Sequence, residues 1–83
     1  MEDIDDIMAE ARLEGDMDVW EMATEAASVR IAEDDLGGEW VISFVDSEEV
    51  TQYAYVDLEV PAASIVAWLI TQGLNRRQIH MAE

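Results

Sequence analysis

Cysteine and lysine are absent from these 83 residues, proline occurs once and glycine four times. Without cysteine there is no disulfide and no thiolate zinc site, a composition that fits a reducing cytoplasm. Long apolar runs are missing too. The longest uncharged stretch, Val60 to Asn75, is about one turn short of a comfortable membrane span and carries Pro61, Gln72 and Gly73. No membrane partner is expected. Met1 is followed by Glu2 and Asp3, unlike the basic, apolar opening of a secretory leader. Positive charge is scarcest of all: 4 arginines stand against 20 acids, a net charge of −16. Such a chain is not expected to bind bare nucleic acid directly, because the phosphate backbone would be repelled.

Apolar types make up 51% of the residues, enough for a folded core. The length allows one domain. Charge is unevenly spread: residues 1–60 hold 19 acids and 2 arginines (net −17), and residues 61–83 hold one acid and 2 arginines (net +1). The 1–83 domain therefore divides into an acidic helical part (1–27), a sheet (28–60) and an apolar helix with a tail (61–83).

Ile4, Ile7, Met8 and Ala11 follow helical spacing, with Glu2, Asp3, Asp5, Asp6, Glu10 and Glu14 on the remaining arc. Gly15 is the expected stop. Asp16 or Asp18 then caps a second helix, and Asp18 with Glu21 matches capping-box spacing. Trp20, Ala23 and Ala27 form its expected buried stripe, with Met17 or Met22 at the margin. Alternation follows: Val29 and Ile31 oppose Arg30 and Ala32 in a short strand, and Asp35-Leu36-Gly37-Gly38 reads as a turn. Trp40, Ile42 and Phe44 oppose Val41, Ser43 and Val45 along Glu39 to Asp46. In the strand from Val50 to Val60, Ala54, Val56, Leu58 and Val60 oppose Tyr53, Tyr55, Asp57 and Glu59. Pro61 suits the first turn of a third helix, whose stripe is Ala62, Ile65, Val66, Leu69 and Ile70. That helix carries no charge from Pro61 to Gly73 and needs cover from the sheet or from another chain. The expected fold is α+β, ordered ααβββα, with a three-strand antiparallel meander. A short helix or a frayed end closes the tail.

Catalytic chemistry finds little purchase. His80 is the one histidine, and the four serines lack nucleophile spacing. Asp57 and Glu59, beside Tyr53 and Tyr55, are the best carboxylate pair, but a solvated sheet face accounts for them equally. A calcium loop starting at Asp16 fails at its fifth and sixth positions, Trp20 and Glu21. The Glu33–Glu39 loop is a solvated turn before it is a cation site. Gly37-Gly38 has no lysine beside it, so it is no phosphate cradle. Gln72 to His80 is faintly like the opening of a helix-turn-helix, but no recognition helix follows; Arg76 and Arg77 more simply complement the end of the third helix or pair with the acidic body. The expectation is a protein that is not an enzyme, with no cofactor and no metal.

The charge itself is informative, because solubility needs a net charge of only about 2–8. A charge of −16 equals that of roughly 8 base pairs, at about one phosphate charge per 1.7 Å of duplex axis. Carboxylates three or four apart on a helix have Cβ atoms roughly 5–6 Å apart, close to phosphate spacing. Asp3, Asp6 and Glu10, continuing to Glu14, form one such row; Asp18, Glu21 and Glu25 form another. Tyr53 and Tyr55 are candidate anchors beside Asp57 and Glu59. The expected partner is a basic nucleic-acid-binding protein.

The size of the chain, the acidic opening Glu2-Asp3-Ile4-Asp5-Asp6 and the rows through Glu25 resemble phage-encoded DNA-mimic inhibitors, anti-CRISPR proteins above all. The likeness is one of size and composition over residues 1–60. It implies inhibition without catalysis, by occupying the nucleic-acid-binding groove of a CRISPR effector complex in the host cytoplasm. The competing expectations are a halophile-type acidic binding module and an antitoxin-like partner of a basic protein. The apolar helix at 61–73 adds an expectation of monomers or weak homodimers.

Overall fold

The computed structural model describes residues 3–14, 17–34 and 36–81. In order these form α1 (Ile4–Ala9), β1 (Arg12–Glu14), α2 (Val19–Glu25), β2 (Ala26–Asp34), β3 (Glu39–Asp46), β4 (Thr51–Asp57), α3 (Ala62–Thr71), a 3-10 turn (Arg76–Gln78) and β5 (Ile79–Met81). The sheet has five strands in the order β1-β4-β3-β2-β5. Strands β1 to β4 pair antiparallel, while β5 lies parallel to β2. The three-strand ααβββα expectation is therefore corrected to a mixed five-strand α+β sheet. Its meander is present as β2-β3-β4, and each edge gains a three-residue strand.

Both additions come from segments read otherwise. Helix α1 stops at Ala9, and the next residues run extended beside β4, with Leu13 opposite Ala54. Ile79–Met81, in the tail, joins β2 after a 3-10 turn closed by the reciprocal Asn75–Gln78 capping box. That turn and strand replace the helix-turn-helix likeness. Gly15 and Asp16, expected as a stop and an alternative cap, lie outside the described residues.

One face of the sheet carries the core. Val29, Ile31, Ile42, Phe44, Ala54 and Val56 are buried, as period-two alternation requires, and the helices cover them with Met8, Val19, Met22, Ala23, Ile65, Trp68 and Leu69. In α2 the expected stripe is kept at Ala23 alone: Val19 and Met22 are buried with it, Trp20 is 38% exposed, and Ala27 already belongs to β2. Trp20 still packs edge-on against Trp68, with ring centroids 6.1 Å apart. In α3 the stripe turns toward Trp68, leaving Val66 half-buried and Ile70 exposed. The sheet thus covers the inner side of the uncharged helix. No helix among the described residues is long and apolar enough to cross a membrane.

Strand β4 ends at Asp57, short of the expected Val60. The Asp57 carboxylate accepts the Glu59 N–H at 2.9 Å and bends the chain, while the Trp40 indole N–H donates to the Val60 carbonyl at 2.7 Å. These two bonds place residues 58–60 against the end of the sheet, where α3 begins.

Candidate functional site

Among the described residues no side chain on the second sheet face is fully buried, and register assigns these side chains to rows. Arg12, Tyr55, Val41 and Ala32 form one row; Glu14, Tyr53, Ser43, Arg30 and His80 form the next. At the end of the sheet Glu39 pairs with Asp57 on one side and Asp34 on the other. Three carboxylates thus stand on adjacent strands, at about 4.5–5.5 Å per step, an arrangement that costs stability through like-charge repulsion. Asp57→Asn keeps the acceptor for the Glu59 N–H and is expected to raise unfolding free energy by about 0.2–1 kcal/mol, read from the urea midpoint.

Arg12 only partly relieves this row. Its guanidinium donates to the Glu39 carboxylate at 2.7 Å and lies 4.0 Å from the centre of the Tyr55 ring. The bond to Glu39 raises the already high Arg12 pKa. Tyr55 in turn donates its hydroxyl to Glu14 at 2.7 Å, and this bond pushes the phenol above its usual 10.0. A raised phenol pKa means that the folded state holds the proton more tightly than the unfolded chain. That contribution is complete at neutral pH and disappears as pH rises through the folded pKa. Titration of tyrosinate absorbance is expected to show the Tyr55 phenol ionising above 10.0, moved downward by Glu14→Gln.

Around the edge of the sheet, between α1, the end of β4 and the start of α3, lies an open groove of about 560 Å³. Ile4, Ile7, Val56, Val60 and Pro61 form its apolar lining, Glu10, Glu39, Asp57 and Glu59 contribute the carboxylates, and Arg12 lies among them beside Tyr55. Strand β1 pairs with β4 only at Tyr53–Tyr55, so the groove sits where that cover stops. Asp6 and Glu10 lie within about 40° of each other on α1 at 100° per residue, beside Ile7 and preceded by Asp3 at the helix start. Acids therefore continue from Asp3, Asp6 and Glu10 through Asp57 and Glu59 to Glu39 and Asp34.

The expected rows are only partly kept. Asp3, Asp6 and Glu10 stay together and exposed, but Glu14 leaves the helical row because it lies on β1 and accepts from Tyr55. Asp18 caps α2, accepting the Glu21 N–H at 2.8 Å. Glu21 and Glu25 are exposed, and Glu25 shares a shallow depression with Asp46 at the opposite end of the sheet. At roughly 3.4 Å per residue, β3 separates Glu39 from Asp46 by about 24 Å, so the acids form two poles. Tyr53 and Tyr55 are half-buried on the second face and belong to neither row of helical acids. Arg12 was not singled out by the sequence, and Asp34 and Glu39 entered it as candidates only as part of the Glu33–Glu39 loop; the turn at Leu36–Gly38 places Asp34 opposite Glu39, while Asp35 lies outside the described residues.

For other chemistry the arrangement offers less. Asp57 and Glu59 are exposed, His80 is exposed on β5, and no cluster of three metal-ligating side chains occurs among the described residues. The Asp34 carboxylate accepts the Leu36 and Gly37 N–H groups, each at 3.2 Å, as a turn residue does. Arg76 and Arg77 are exposed, and the Arg12–Glu39 contact is the one ion pair among the described residues. No protein-family model, curated protein or solved structure matches the chain.

Proposed function

We propose that this protein is a non-enzymatic acidic decoy that occupies the nucleic-acid-binding surface of a basic protein, as an anti-CRISPR inhibitor does on a CRISPR effector complex. The supporting observation is the run of carboxylates from Asp3, Asp6 and Glu10 past Asp57 and Glu59 to Glu39 and Asp34, which bring together one end of the sheet and the adjoining helix. Helical spacings of about 5–6 Å and cross-strand spacings of about 4.5–5.5 Å resemble the step between phosphates. Long-range attraction speeds encounter with a lysine- and arginine-lined groove, and contacts at the apolar lining slow release. The part of the surface without acids, where Ala63, Ala67, Ile70 and Met81 are exposed on and beside α3 next to Arg76, is the side on which weak self-association would rest.

The test is competition. The protein is titrated into a CRISPR effector complex bound to labelled target DNA, at about 0.05 and 0.5 M salt. DNA release at low salt and none at high salt is expected. Failure to displace DNA from any basic nucleic-acid-binding protein tested at low salt removes the proposal.

A further inference from the structure

The geometry points to the groove between α1, β4 and α3 as a socket for an arginine side chain of the partner, its aliphatic stem on the apolar lining and its guanidinium among Glu10, Asp57 and Glu59. This inference deepens the decoy reading and rests on it for the partner, but its chemistry can be tested alone.

Shape and charge act together in this groove. A groove lined by Ile4, Ile7, Val56, Val60 and Pro61 suits an apolar chain, whereas carboxylates at its rim suit a cation. Arginine supplies both parts, joined by a stem that can lie along the lining while the head stays partly hydrated. One guanidinium of the chain, that of Arg12, already lies in the lining of this groove. Arg12 lies over Tyr55 with its head on Glu39, which takes Glu39 and leaves Glu10, Asp57 and Glu59 without an ion-pair partner among the described residues. The planar fork can bridge two such carboxylates, which a point-like ammonium does less well. A bare cation site would lack the apolar lining, and a purely apolar pocket would lack the rim. Charge complementarity therefore selects a basic, stem-bearing side chain over a neutral one or a second acidic copy.

The probe is n-butylguanidinium, titrated into the full chain at constant ionic strength and followed by methyl and amide NMR. Guanidinium ion alone serves as the head without a stem. Saturable shifts at Ile4, Ile7, Val56 and Val60 are expected with butylguanidinium, and weaker ones with guanidinium. Asp57→Asn and Glu59→Gln are each expected to weaken binding about two- to fivefold, and Glu25→Gln at the far pole to leave it unchanged. Equal response to both probes, linear shifts without saturation, or shifts centred on Met22 and Val50 overturn the socket. If the probe fails in the groove while the protein still displaces DNA from a basic partner, the socket is wrong and the decoy reading stands. If the probe binds but no DNA is displaced, the socket stands and the decoy reading falls.

Discussion

Reversing Asp3, Asp6 and Glu10 to lysine is expected to weaken binding to a basic nucleic-acid-handling partner by about two orders of magnitude at low salt. Each exposed contact contributes about 0.5 kcal/mol, and each reversal replaces an attraction with a repulsion of similar size, so three reversals remove roughly 3 kcal/mol. All three side chains are exposed, and they make no hydrogen bond or ion pair through their carboxylates among the described residues. Far-ultraviolet circular dichroism should therefore stay unchanged. The effect should shrink with salt, because the Debye length falls from about 10 Å at 0.1 M to about 3 Å at 1 M. Glu21→Lys with Glu25→Lys is the matched control on α2. If that pair weakens binding as much per charge as the α1 triple, total charge governs the interaction and the ridge at Glu39 has no special part. If the triple leaves binding intact, the partner does not meet the protein at α1.

The sequence carried the central strands clearly. Trp40, Ile42 and Phe44 alternate over enough residues to reveal period two, and their burial partners Val29, Ile31, Ala54 and Val56 follow from the same pattern. The edges were not legible. Three residues cannot display a period, so Arg12–Glu14 continued the helical reading and Ile79–Met81 stayed within an ambiguous tail. Both strands exist because a neighbouring strand offers them backbone partners, and that information lies elsewhere in the chain. The uncharged third helix posed another limit: with no polar side to fix its phase, Trp68 could not be placed inside and Ile70 outside. At the site, the α1 acids were readable from spacing. Joining them to Asp57 and Glu59, and those to Glu39, required the way α1 lies beside the end of β4.

The steepest loss of stability is expected at Trp68, and its cause is geometric. Helix α3 carries the chain from β4, across β3 and β2, to the far edge at β5, so the side chains beneath it hold opposite sides of the sheet together. Trp68 is the largest fully buried side chain in that layer and meets Trp20 of α2 edge-on. Trp68→Ala leaves a cavity and is expected to cost about 3–5 kcal/mol. An 83-residue chain at the usual 0.05–0.15 kcal/mol per residue has only about 4–12 kcal/mol in all. The variant should therefore melt on the order of 20 °C lower, or not fold at low salt, where repulsion among the acids is least screened. Trp68→Phe is expected to cost less, about 1–2 kcal/mol, because it keeps a ring in place and removes an indole N–H with no hydrogen-bond partner among the described residues. Ile70→Ala, on the same helix but 41% exposed, should stay within about 0.5 kcal/mol. Urea denaturation followed by circular dichroism orders the three. A Trp68→Ala midpoint no lower than that of Ile70→Ala would mean that α3 does not press this face onto the sheet, and the groove beside its first turn would lose its wall.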